Sequence, residues 1–79
     1  MTEIETKLQD IFRDVLRDSE LEMKPELTAF DIKGWDSFNN MRIIAKIQKQ
    51  FNLRFKAQDI VGLNNFGELV LAVTKKIYS

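Results

Sequence analysis

Apolar residues Ile4, Leu8, Ile11, Phe12, Val15 and Leu16 recur three or four positions apart, and Lys7, Asp10, Arg13, Asp14 and Arg17 lie between them. That period is the one-sided stripe of an amphipathic helix. Thr2 and Glu5 have the spacing of a capping box, in which each side chain accepts from the other's free backbone N–H. The helix is therefore expected to open at Glu3 and to end near Arg17 or Asp18. A second stripe, Ile43, Ile44, Ile47 and Phe51, predicts a helix from Ser37 to about Phe51, with Met41 and Ala45 at the rim and Arg42, Lys46 and Lys49 toward solvent. A third, Phe66, Leu69, Val70, Val73 and Ile77, predicts a last helix capped by Asn64 or Asn65 and closed by Lys75 and Lys76. Lys56 to Val61 reads as a short helix stopped by Gly62.

The fold class is thus all-α: a small helical bundle of three long helices plus a short third helix, with a long loop between helices one and two. Within that loop Leu21, Met23, Leu27, Phe30 and Ile32 are expected to dip into the core, Pro25-Glu26 to start a single helical turn, and Trp35 to cover the entrance of the second helix. So long a connection suits parallel neighbours. One domain is expected over residues 1–79, because a chain of this size buries only about 60 to 65% of its unfolded surface and supports one small core.

Composition narrows the chemistry. The chain has no histidine and no cysteine, so the commonest general base, the commonest metal ligand and any thiolate are missing. Neither an enzyme nor a metal site is expected. The longest apolar run, Leu69 to Val73, is too short for a membrane span, and a cytoplasmic monomer without membrane contact is expected. Net charge is zero but unevenly spread: residues 1–36 hold ten acids and five bases, and residues 37–79 hold two acids and seven bases. A neutral total with scattered basic residues argues against nucleic acid. The basic face of the second helix reads either as solvated or as a docking surface for an acidic partner.

The stretch Gly34-Trp35-Asp36-Ser37-Phe38 sets an acid and a hydroxyl at a helix entrance. Asp and Ser both satisfy the free N–H groups of a first helical turn, and that turn also bears the positive end of the helix dipole. A phosphate carried on Ser37 would be stabilised there. Ser37 acting only as a cap, in a helical adaptor with no prosthetic group, is the alternative.

This stretch, followed by Met41, Ile43, Ile44, Ile47 and Phe51 on a helix, resembles the Asp-Ser-Leu signature of the acyl carrier protein family, and the match extends over nearly the whole chain. The resemblance implies that Ser37 is esterified by 4′-phosphopantetheine, transferred from coenzyme A by a phosphopantetheinyl transferase. It implies that the arm's thiol holds acyl intermediates as thioesters for acyl-loading and acyl-using enzymes. Asp36 would then be both cap and motif residue. Phe38, Met41, Arg42, Ala45, Lys46 and Lys49 would form the docking face, and Ile43, Ile47, Phe51 and Val70 a crevice for the acyl chain. Two features depart from the family's fatty-acid carriers: the second helix is basic rather than acidic, and Phe38 replaces the signature leucine. The first argues against general fatty-acid synthesis, and Phe38 with Trp35 looks more like a stand-alone carrier of a specialised pathway.

Overall fold

The computed structural model describes residues 2–78 and contains four helices: α1 (Glu3–Leu16), α2 (Ser37–Phe51), α3 (Ala57–Val61) and α4 (Phe66–Tyr78). At the start of α1 the capping box forms, with Glu5 N–H donating to Thr2 Oγ1 (3.1 Å) and Thr2 N–H to Glu5 Oε1 (3.2 Å). Left-handed residues follow two of the helices, Arg17 (φ 55°) after α1 and Asn52 (φ 54°) after α2. Asn65, not Asn64, caps α4, accepting from Glu68 N–H at 2.9 Å. Among the described residues no helix is long and apolar enough to cross a membrane, and no cluster of His, Cys, Asp and Glu is placed to hold a metal ion.

Leu8, Ile11, Phe12 and Val15 from α1 meet Ile43, Ile44 and Ile47 from α2 and Phe66, Leu69 and Val73 from α4 in one buried cluster. Phe12 is its hub. Its ring takes edge-to-face contacts from Trp35 (4.8 Å, 88°) and Phe66 (5.5 Å, 86°), arrangements that aromatic quadrupoles favour.

The α1 and α2 axes run antiparallel, contrary to the parallel arrangement expected for so long a connection. Arg42 shares a groove with Arg17 at one end of the pair, Lys46 pairs with Asp14, and Lys49 lies beside Asp10 at the other. Hydrogen bonds explain why an antiparallel pair needs a long loop. The chain descends along α1, with Arg13 Nε donating to Leu21 O (2.6 Å) and Met23 N–H to the buried Gln9 Oε1 (2.7 Å). It then reverses at Lys24–Leu27 and climbs past the start of α4, where Leu27 O accepts from Phe66 N–H at 2.9 Å and Pro25 O from Gly67 N–H at 2.8 Å. Pro25-Glu26 thus forms a reverse turn closed by Leu27 N–H to Lys24 O (3.1 Å), not the expected helical turn.

Two apolar positions lie outside the core that was expected to hold them. Phe30 is fully exposed (102%), because Thr28 and Asp31 close a turn that points it outward, and Ile77 in the final turn of α4 is 38% exposed. Met23 is buried, and Leu21, Leu27 and Ile32 pack against the core as expected.

Candidate functional site

The entrance to α2 is built by a set of local hydrogen bonds. Gly34 has φ +90°, a conformation that side chains disfavour, and it turns the loop into the helix. Trp35 then anchors the turn: its ring lies against Phe12, and its Nε1–H donates to Asn40 Oδ1 at 2.9 Å. Asn39 clamps the same turn twice. Its backbone N–H donates to Asp36 Oδ1 (2.8 Å), and its side-chain Nδ2 donates back to Gly34 O (2.8 Å). Asp36, with extended backbone, is the cap residue of α2.

Ser37 is therefore the first residue of α2 and not its cap. It is exposed, and neither its hydroxyl nor its backbone N–H is bonded to another described residue. The first N–H groups of a helix have no partner within it, so the hydroxyl stands beside unspent donors at the positive end of the dipole. Ser37 opens onto a groove of about 460 Å³ walled by Ala29, Phe30, Trp35, Leu63 and Asn64. Neither the motif nor the resemblance gave Phe30, Asn39 or Asn40 a part in this site. The Asn39-Asn40 pair within the first turn after a candidate cap was the available signal, since amides bond readily to nearby backbone.

The other residues implied by the resemblance divide by burial. Phe38 (70%) and Met41 (72%) are exposed, as are Ala45, Arg42, Lys46 and Lys49. Ile43 and Ile47 are fully buried, whereas Phe51 and Val70 are half-buried. Lys46 is tied to Asp14 of α1, and Arg42 Nη1 donates to Asn39 Oδ1 at 3.3 Å. Beside these cations the Asp14 carboxyl is held below its ordinary value, chiefly by the Lys46 hydrogen bond and charge, with smaller contributions from Arg42 and Arg17.

A family model described as a phosphopantetheine attachment site matches residues 6–73. The solution NMR structure of holo acyl carrier protein from Geobacter metallireducens is similar to this chain over 98% of its length and 88% of that protein's, with 30% identity and a TM-score of 0.90. The chain belongs to the acyl carrier protein family. No curated protein matches it.

Family membership selects the carrier over the adaptor. The protein is a carrier rather than an enzyme, and it works with a covalently attached 4′-phosphopantetheine. Its partners are the transferase that installs the arm and enzymes that handle acyl groups. The residues at the α2 entrance fit such a group: an exposed hydroxyl with no competing partner is available for ester formation, and free backbone N–H groups beside it suit a phosphodiester.

Proposed function

We propose that Ser37 Oγ is the attachment point of the arm. The observation that carries this reading is that Asp36 caps α2, so the Ser37 hydroxyl, exposed at a helix N-terminus, is not needed by the fold. When bound, the arm supplies a thiol that holds acyl groups as thioesters. The chain's own residues supply everything else. Gly34, Trp35 and Asn39 hold the attachment turn rigid, and the α2 N-terminus offsets the phosphodiester charge.

The reading extends to the rest of the site. Phe38, Met41 and Ala45 form the apolar part of a docking face whose charged residues are Arg42, Lys46 and Lys49. Ile43, Ile47, Phe51 and Val70 form the acyl crevice, which opens by displacement of the two half-buried members, Phe51 and Val70. The chain acts as one carrier domain over residues 1–79, as a cytoplasmic monomer of a specialised pathway. The basic face of α2 supports the last point, since it suits enzymes whose docking surfaces are acidic.

Intact-mass spectrometry after incubation with coenzyme A and a broad-specificity phosphopantetheinyl transferase tests the central assignment. The wild type is expected to gain one phosphopantetheine and Ser37→Ala none. Uptake by Ser37→Ala, or modification mapped to Ser19, would overturn it. Because Asp36 remains as cap, Ser37→Ala is expected to change folding stability by less than about 1 kcal/mol.

A further inference from the structure

Arg13 and Arg17 of α1 have no part in the attachment turn, yet they line one groove of about 720 Å³ together with Ser19, Arg42 and Lys46. Each arginine is set differently. Arg13 is half-buried and held by its Nε–H to Leu21 O (2.6 Å), while Arg42 is steadied by Asn39 and Arg17 stands exposed at the end of α1. Lys46 contributes less free charge than its position on α2 implies, because Asp14 neutralises it.

We propose that the charged part of the carrier's docking surface is this α1–α2 seam, centred on Arg13, Arg17 and Arg42, and that it receives an Asp- or Glu-bearing surface of a partner enzyme. This rests on the carrier reading above, and it moves the charged contact from α2 alone to both helices. Guanidinium groups pair with carboxylates through two parallel hydrogen bonds, which lysines cannot do. Asp10 and Asp14 line the same groove, so its field is broken, not a continuous basic stripe. A polyphosphate chain or an anionic lipid surface carries charge at every repeat and would have to lie against those carboxylates, whereas separately spaced partner carboxylates need only reach the arginines. Exposed Glu20 and Glu22 flank Leu21, whose carbonyl holds Arg13, so they add like charge for an acidic partner to avoid beside the seam.

The test is an NMR titration of the full-length, isotope-labelled protein with a glutamate decapeptide at low ionic strength, with parallel titrations against a thymidine decanucleotide and phosphatidylglycerol vesicles. The expected result is that the peptide shifts the backbone amides of Arg17, Ser19 and Arg42 most. Binding should weaken with salt, and the double change Arg17→Glu, Arg42→Glu should weaken it by about tenfold or more. Lys75→Glu, a control on α4, should change it by less than about twofold. Shifts centred elsewhere, indifference to salt or to the double change, or tighter binding of the oligonucleotide or vesicles at the same amides would overturn the proposal. Should the double change unfold the chain, Arg17→Gln and the salt dependence of the wild type decide the question instead. Intact mass after transferase treatment is read on the same samples. A loaded chain whose seam ignores the peptide defeats only this proposal, and a chain that binds the peptide but never loads defeats the carrier assignment of Ser37.

Discussion

The N-termini of α2 and α4 begin alike and serve different ends. Each is capped by a short polar side chain that accepts a backbone N–H at 2.8 or 2.9 Å, Asp36 from Asn39 and Asn65 from Glu68. Each also carries a phenylalanine in its first turn. At α4 the remaining donors are used, Phe66 N–H by Leu27 O and Gly67 N–H by Pro25 O, and the Phe66 ring is fully buried against Phe12. At α2 the N–H groups of Ser37 and Phe38 have no acceptor among the described residues, and the Phe38 ring is exposed. The difference teaches that a helix N-terminus is open to an anion only where the rest of the chain leaves its donors unspent. In this carrier the long loop spends one N-terminus on the fold and leaves the other open.

The two phenylalanines give the largest expected effect. Phe66→Ala should destabilise by about 3 to 5 kcal/mol, the usual cost of truncating a buried aromatic, while Phe38→Ala should stay within about 0.5 kcal/mol. Urea denaturation measures both, and equal losses would erase the distinction between the two helix starts. Next comes the loop contact itself. A Cβ at Gly67 would lie 3.1 Å from both Pro25 Cβ and Pro25 O, so the branched side chain of Gly67→Val must push the loop away from α4. A loss of about 1 to 3 kcal/mol is expected, with weaker hydrogen-exchange protection at Phe66 and Gly67. An unchanged midpoint would mean that the loop yields freely.

The caps should be closer to equal. Asp36→Ala and Asn65→Ala are each expected to cost about 0.5 to 2 kcal/mol in the same denaturation measurement. Only the Asp36 change should also slow phosphopantetheine uptake, since it loosens the turn that presents Ser37. Slower uptake in Asn65→Ala would show that the two ends are coupled.

The smallest effect concerns the far end of α4, where Asp59 of α3 holds Lys76 at 3.1 Å. The Asp59 carboxyl lies below its ordinary value of 3.8, first because Lys56 N–H donates to it and then through the Lys76 hydrogen bond. A lowered folded-state value means the stabilisation is present above 3.8 and is lost as pH falls through the lower, folded value. Asp59→Asn should therefore narrow its deficit against wild type as urea midpoints are followed downward from pH 3.8. A constant deficit would show that the carboxylate charge contributes nothing.

Much of this molecule was legible in the chain because the signals are local. A 3.6-residue period needs only neighbours within a few turns, so the apolar stripes located α1, α2 and α4, and the Thr2–Glu5 spacing located the first cap to the residue. Missing histidine and cysteine limited the chemistry for the same reason, since composition needs no fold. What the loop does was decided only in three dimensions. Met23 and Phe30 are both large apolar residues in an aperiodic segment, yet one is buried and the other fully exposed. Their fates follow from partners far away in sequence: Gln9 draws in the Met23 backbone, and the start of α4 takes the carbonyls of Pro25 and Leu27 before the chain turns outward at Thr28. The same long-range packing made α1 and α2 antiparallel and set Asp14 beside Lys46, 32 positions apart, so that the basic face of α2 borders acids of α1 along a shared seam. Helical faces follow from the order of residues along a few turns; which face meets which depends on contacts that no local window contains.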